Sequence, residues 1–423
     1  MKKILFIIFL LVSFLVVAQD TTYKKRVLEA TEIDALFSYY NQDGEHAAVT
    51  GGEGTEELDD TTASLIVRLP INEDDVLTVD VGVSAYSSAS SSNINPLDGD
   101  FSTTVSSYIA SSGASQSDVL TYVNPTYQHS SDNRNKIWNV NAYFSKEYDY
   151  SSIGFGGGYS YLFNQKNTEL SANIKVYLDK WNPQYPVELK NGFFDSRIEG
   201  EGTYSPIFVV FDNENRNTYS LSLGFSQILS KRLQGSISVD FVTQNGLLST
   251  PFQRVYFANV DDFFIDDFQL ADNVEQLPDS RFKLPIGGRL NYYLSDTFII
   301  KSYYRYYTDD WGVSAHTASV EVPVKLGSLF TLYPNYRFYT QSASDYFYPK
   351  EVALSTSDYY TSDYDLSNFN AHQYGLGIRY KDIFTTAKLL TFGLKIIDFR
   401  FSKYDRNDGL DSYIFSFGTT FVR

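Results

Sequence analysis

The chain has 423 residues, no cysteine, and Met1 as its only methionine. The missing cysteines exclude disulfides, thiolate metal sites and Cys-x-x-Cys-His haem attachment. A formal net charge of -17 argues against a nucleic-acid partner, because phosphate contacts need clustered Lys and Arg.

The chain opens with Lys2 and Lys3, followed by an apolar run over 4–17 that only Ser13 interrupts. Val16-Val17-Ala18 supplies a cleavage site, and Gln19-Asp20 turns polar at once. This pattern predicts a secretory signal peptide at 1–18, too short for a spanning helix of ~20 apolar residues. Residues 19–32 are expected to form a periplasmic N-terminal segment and 33–423 the folded domain. Past Ala18 the longest uncharged apolar pieces, such as 206–211, are short. A chain kept in a membrane without helices must close into a barrel, since unpaired backbone groups cannot face lipid. The 35 Tyr, 32 Phe and 3 Trp suit a wall that meets headgroups at both rims.

Period-two alternation dominates the rest of the chain. In 151–163, Ile153, Phe155, Tyr159, Tyr161 and Phe163 alternate with Gly154, Gly156, Gly158 and Ser160. Runs over 218–226 and 233–244 repeat the pattern. A tilted membrane strand needs ~9–11 residues, whereas soluble strands run ~5–6. Sixteen strands are predicted, starting near Ile33, Thr61, Val76, Asp118, Lys136, Ser151, Thr168, Asn217, Leu233, Leu284, Thr297, Ser314, Leu329, Asn370, Leu389 and Asp411. Fourteen is the alternative count. The even-numbered connections are short: 71–75, 131–135, 164–167, 229–232, 295–296, 324–328 and 381–388. Every long one is odd: 42–60, 90–117, 180–216, 246–283 and 342–369. Short periplasmic turns and long outer loops are the bacterial arrangement. The fold class is therefore all-β, a transmembrane antiparallel up-and-down barrel in the outer membrane of a Gram-negative-type bacterium. The last strand carries Ser416-x-Gly418-x-x-Phe421, which resembles the C-terminal signal read by barrel-assembly machinery; it departs in ending on Arg423.

Several stretches resemble a widespread family of outer-membrane barrels known only as a domain of unknown function. They are Ala110-Ser-Ser-Gly-Ala-Ser115, the run over 216–257, Leu284-Pro-Ile-Gly-Gly-Arg-Leu-Asn-Tyr-Tyr293, Tyr303-Tyr-Arg-Tyr-Tyr-Thr-Asp-Asp-Trp311 and Tyr360-Thr-Ser-Asp-Tyr-Asp-Leu-Ser367. The resemblance implies a barrel and brings no assigned activity. Family members often sit beside genes for a covalent flavin transferase and small redox proteins, which implies a link to electron traffic across the envelope.

Four constellations stand out. Arg289, Lys301, Arg305, Arg337, Arg379 and Lys395 are assigned to the lumen, with Asp80, Asp179, Asp240 and Glu321 as lumenal acids. A charge facing lipid costs roughly 2–4 kcal/mol at the midplane, so inward placement is expected. This ladder reads as a transverse field lining an aqueous path, or as a salt-bridged interior without passage. Asp261, Asp262, Asp266 and Asp267 crowd one outer loop and form a candidate cation site, although their spacing is not that of an EF-hand. Phe263, Phe264 and Phe268 interleave with them and suggest an inward plug. A barrel hydrolase would need one of the four histidines, His46, His129, His316 or His372, beside a nucleophile; no Gly-x-Ser-x-Gly motif is present. The Ser-rich stretch over 87–117 reads as an outer loop.

The leading expectation is a non-enzymatic, cofactor-free barrel of porin type passing small hydrophilic solutes. The alternative is a structural sheath or anchor for a periplasmic or surface redox partner. The hydrolase remains minor. Expected partners are outer-membrane lipid and the barrel-assembly machinery.

Overall fold

A computed structural model describes residues 26–87 and 117–423. The signal peptide, residues 19–25, the 110–115 stretch and the Ser-rich loop over 88–116 lie outside the described residues. The main sheet holds eighteen strand segments. Sixteen make the barrel wall: β1 Glu32–Asp43, β2 Leu58–Pro70, β3 Asp75–Ser87, β4 Ser117–Ser130, β5 Lys136–Lys146, β6 Tyr150–Phe163, β7 Thr168–Trp181, β8 Glu214–Ser230, β9 Leu233–Gly246, β10 Ser280–Tyr293, β11 Ile299–Asp309, β12 Ser314–Glu321, β13 Phe330–Gln341, β14 Phe369–Lys381, β15 Phe392–Arg406 and β16 Asp411–Val422. The short pieces Val324–Leu326 and Lys388–Leu389 form hairpin ends beside β13 and β15.

Each strand pairs antiparallel with its chain neighbours, and β1 pairs with β16 from Glu32↔Val422 to Asp43↔Asp411. That last ladder removes both edges, so every wall strand has its backbone groups paired on two sides. The sixteen predicted strands are all present, with starts within four residues of expectation. β12 shows why short motifs blur: Pro323 interrupts it, and 324–326 resumes the ladder before the turn.

Alternation sets the two faces. Leu65, Val81, Val140, Phe155, Ile174, Leu223, Ile237, Tyr304, Leu376 and Phe401 are exposed on the outer wall, where hydrocarbon would cover them. Residues of opposite parity face the lumen. The largest buried apolar clusters are not in the wall. They lie where loops 44–57, 182–213, 247–279 and 342–368 pack on one another, as in Trp181, Leu189, Phe208, Phe252, Ala271 and Val274.

These loops form a cap over the outer end. Arg254 and Glu188 are an ion pair with fully buried side chains. Arg254 also donates to Val49 O at 2.6 Å, and Ser362 Oγ donates to Arg254 O at 3.1 Å. One residue, through its guanidinium and its backbone carbonyl, thus ties the first, fourth, fifth and seventh loops. Phe268 is buried and Phe263 partly so, against Ile265, Leu270, Phe193, Ile198 and Tyr204; Phe264 is exposed. The predicted plug is therefore a correction in part: these rings seal loop against loop in the cap instead of descending the lumen.

Candidate functional site

The lumenal charges form two tiers. In the inner tier, nearer the short turns, Lys301 Nζ lies 3.0 Å from Glu321 Oε1. Arg400 reaches from β15 to Glu321 at 3.1 Å and holds Asp398 at 2.9 Å. Arg379 binds the other Asp398 oxygen at 2.7 Å. The buried ring of Tyr333 lies beneath these cations, with Lys301 Nζ, Arg379 Cζ and Arg400 Cζ at 5.9, 5.1 and 5.0 Å from its centroid. Gly377 sits in register between Tyr333 and Arg400. A Cβ there would stand 3.1 Å from Arg400 Cγ and 3.3 Å from Tyr333 Cβ, so glycine makes room for this knot. Nearby, Lys395 meets Glu32 at 2.5 Å and Arg68 meets Asp34 at 2.5 Å.

Three other cations differ: Arg289, mid-lumen and four residues from the short-turn end of β10, and Arg305 and Arg337, which form the outer tier. Arg289, Arg305 and Arg337 have no carboxylate within 4.0 Å among the described residues. Each lies near a tyrosine ring instead, Arg289 with Tyr303 at 5.1 Å, Arg305 with Tyr307 at 5.8 Å and Arg337 with Tyr339 at 5.9 Å. Arg305 and Arg337 open onto a chamber of about 670 Å³ together with Tyr40, Tyr307, Tyr339, Gln373, Tyr404 and Arg406. Glu56 of the first loop and Asp365 and Leu366 of the seventh roof it. Arg281 and Arg406 complete its basic wall but are satisfied: Arg281 pairs with Asp309, and Arg406 lies 2.5 Å from both Asp365 and Asp408. Below it, a cavity of about 380 Å³ shares Arg337, Gln373 and Ile414 with the chamber. A third, of about 480 Å³, shares Arg400 and Ser416 with the second.

Other wall strands carry lumenal acids. Asp60 accepts from Thr62 at 3.0 Å and from Ser84 at 2.5 Å, Asp80 from Tyr122 at 3.1 Å, and Asp179 from Tyr150 at 2.6 Å. These three and Asp240 have no cation partner among the described residues. Asp60 on β2 and Asp80 on β3 lie half-way round the wall from Arg289 on β10 and Arg305 on β11, while Asp240 sits on the strand paired with β10; the opposed charges set a transverse field across the lumen.

Of the six predicted ladder residues, the wall brings Lys301, Arg379 and Lys395 into ion pairs and leaves Arg289, Arg305 and Arg337 open. Lys395 reaches the lumen by a route that alternation alone does not give. It is the extra residue of a bulge, since Leu394 pairs with Phe421 and Ile396 with Thr420. The bulge reverses parity, so Asp398 and Arg400 face inward beyond it. Sequence reasoning missed both, along with Arg281 and Arg406 at the rim.

The acids Asp261, Asp262, Asp266 and Asp267 are exposed and do not converge. Gln269 donates to Asp262 at 3.0 Å, and Arg197 donates to Asp266 at 3.3 Å. Among the described residues, the acidic group with ligand atoms within 4.8 Å of one another is Asp118, Glu147 and Asp149. Tyr86 donates to Glu147 at 2.8 Å and Trp181 Nε1 to Asp149 at 3.3 Å. The histidines bond to Gly52 O (His46), Asp75 (His129), Tyr304 (His316) and Tyr336 (His372), and among the described residues no serine hydroxyl bonds to any of them. In the last strand Ser416 and Gly418 face inward, while Phe421 faces outward beside Ile33.

Cap carboxylates are shifted by burial. Glu275, fully enclosed between Thr250 N at 2.6 Å and the Thr361 hydroxyl, is pushed up to about 7. Asp272 rises to about 6 for the same reason. Asp363 is pushed well up by burial and then by Asp365 and Glu275, and Glu56 is raised by burial.

The barrel is similar to solved structures at low identity. The ferric enterobactin receptor PfeA of Pseudomonas aeruginosa matches at 12% identity and TM-score 0.44, over 90% of this chain and 55% of its own. The siderophore receptor PirA of Acinetobacter baumannii matches at 9% and 0.43, over 92% and 54%. A BenF-like porin of Pseudomonas fluorescens Pf-5 matches at 10% and 0.37, over 94% and 100%. The chain spans about half the length of the two receptors. No curated protein matches the sequence. A family model does, across residues 9–407, and the chain belongs to that family, the proteins of unknown function DUF3570.

Proposed function

We propose that this barrel passes small hydrophilic solutes across an outer membrane, as a porin-type transporter without catalytic residues. The observation that carries the reading is the stack of three lumenal cavities, of about 670, 380 and 480 Å³, in which each shares wall residues with the next. A sixteen-strand circumference is wide enough to leave water inside. The inner-tier knot narrows one side of the path, and the outer-tier arginines bias what enters. The cap makes the outer mouth a gate. Ser416, Gly418 and Phe421 serve as the element read by the barrel-assembly machinery.

Swelling of proteoliposomes in isosmotic solutes tests this. Entry of small sugars and amino acids, with exclusion of large oligosaccharides, is expected; no swelling with inserted protein contradicts it. The anchor reading draws on one feature, the exposed Phe194, Ile207 and Val209 of the fourth loop, which offer an apolar surface to a partner. Co-purification of a redox protein that I207D/V209D abolishes would support that alternative.

A further inference from the structure

We propose that the chamber beneath the cap is a binding site for small organic di- and tricarboxylates, held between Arg305 and Arg337. The inference deepens the transport reading by naming a solute class, and it rests on that reading only for how the solute arrives.

The wall shows which group its arginines hold. Arg281 is matched to Asp309. Arg406 takes two carboxylates, and one of them, Asp365, reaches down from the roof to 2.5 Å. Two guanidiniums in the same chamber, Arg305 and Arg337, have no such partner among the described residues. Each faces a neutral polar side chain across the ladder: Arg305 is in register with Thr317, and Arg337 with Gln373. Thr317 and Gln373 line the chamber and make no side-chain hydrogen bond among the described residues. Two open cations, each beside an open donor, present two carboxylate sites in one enclosure. A guanidinium binds a carboxylate through parallel N–H donors, which a chloride ion cannot match. A solute with two or more carboxylates can occupy both sites, whereas a neutral sugar satisfies neither charge.

The experiment is calorimetric titration of the folded barrel in detergent at low ionic strength, with citrate as probe and sucrose as the neutral control. Saturable binding of citrate with a dissociation constant in the millimolar range or tighter is expected, weakening as salt is added. R305Q/R337Q should weaken it at least tenfold, and R305K/R337K should retain part of it. If the double glutamine variant does not fold, R305Q and R337Q separately carry the same comparison. Absence of citrate binding, or equal binding by the glutamine variants, overturns the proposal. Solute flux measured on the same preparation separates the two claims. Flux without citrate binding sinks this inference and leaves passage standing. Citrate binding without flux sinks passage and leaves a closed receptor chamber.

Discussion

Replacing Arg337 by alanine removes one unpaired charge from a chamber of about 670 Å³. A sphere of that volume has a radius of about 5 Å, so an ion inside it sits about 5 Å from the wall arginines. One unit charge at that distance in a water-like dielectric is worth ~0.8 kcal/mol, or roughly fourfold in local concentration. The Debye length in 0.1 M salt is ~10 Å, so most of this survives screening. Screening leaves ~0.5 kcal/mol, or roughly twofold per ion; the anion loses the factor and the cation gains it, and the anion-to-cation permeability ratio should fall roughly fivefold. The assay is the reversal potential of single barrels in a planar bilayer under a KCl gradient. R379A is the comparison: Asp398 keeps Arg400 there, so selectivity should move much less. A conducting R337A barrel with unchanged reversal potential would refute the claim that the outer tier sets the field.

Three further outcomes follow from the packing. G377V should destabilise the barrel by about 1–3 kcal/mol, because the added side chain overpacks the Tyr333–Arg400 crossing; urea unfolding in lipid measures it. E188A leaves Arg254 buried without its carboxylate and should cost about 3–5 kcal/mol, read as faster hydrogen exchange in the four cap loops with the wall unchanged. Cap stability should depend on pH. Glu275 and Asp272 have folded values above their ordinary 4.5 and 3.8, so their stabilisation is full below those values. It is lost as pH rises through about 6 for Asp272 and about 7 for Glu275. Cap amides, corrected for intrinsic chemistry, should therefore open more often at pH 8 than at pH 5, and E275Q should flatten much of that change.

The wall was legible because lipid imposes one rule on every strand. A residue of the wrong parity would put a polar group in hydrocarbon, so Ile153, Phe155 and Tyr159 announce both the strand and its face. The parity of the long connections followed from the same rule. What alternation could not show was its own interruption. Lys395 has the parity of the outward Phe399, and only the bulge opposite Phe421 and Thr420 turns it inward. Without that shift Asp398 and Arg400 are assigned to the wrong face, and the inner-tier knot is invisible. The split of the basic ladder into paired and unpaired members was likewise hidden, because Arg400 and Glu321 lie on strands three apart and meet only when the wall curves. The cap was least legible. Its core joins residues as distant as Val49 and Arg254, and no local pattern marks Arg254 as the tie between loops.

Conduction through the lumen is the central claim, and the conductance of the purified, folded barrel in a planar lipid bilayer tests it most directly. Stepwise ohmic currents are expected, larger at pH 8 than at pH 5 as the cap loosens. Silence at both values, from protein shown by protease protection to be inserted, would contradict the claim and give precedence to the anchor reading.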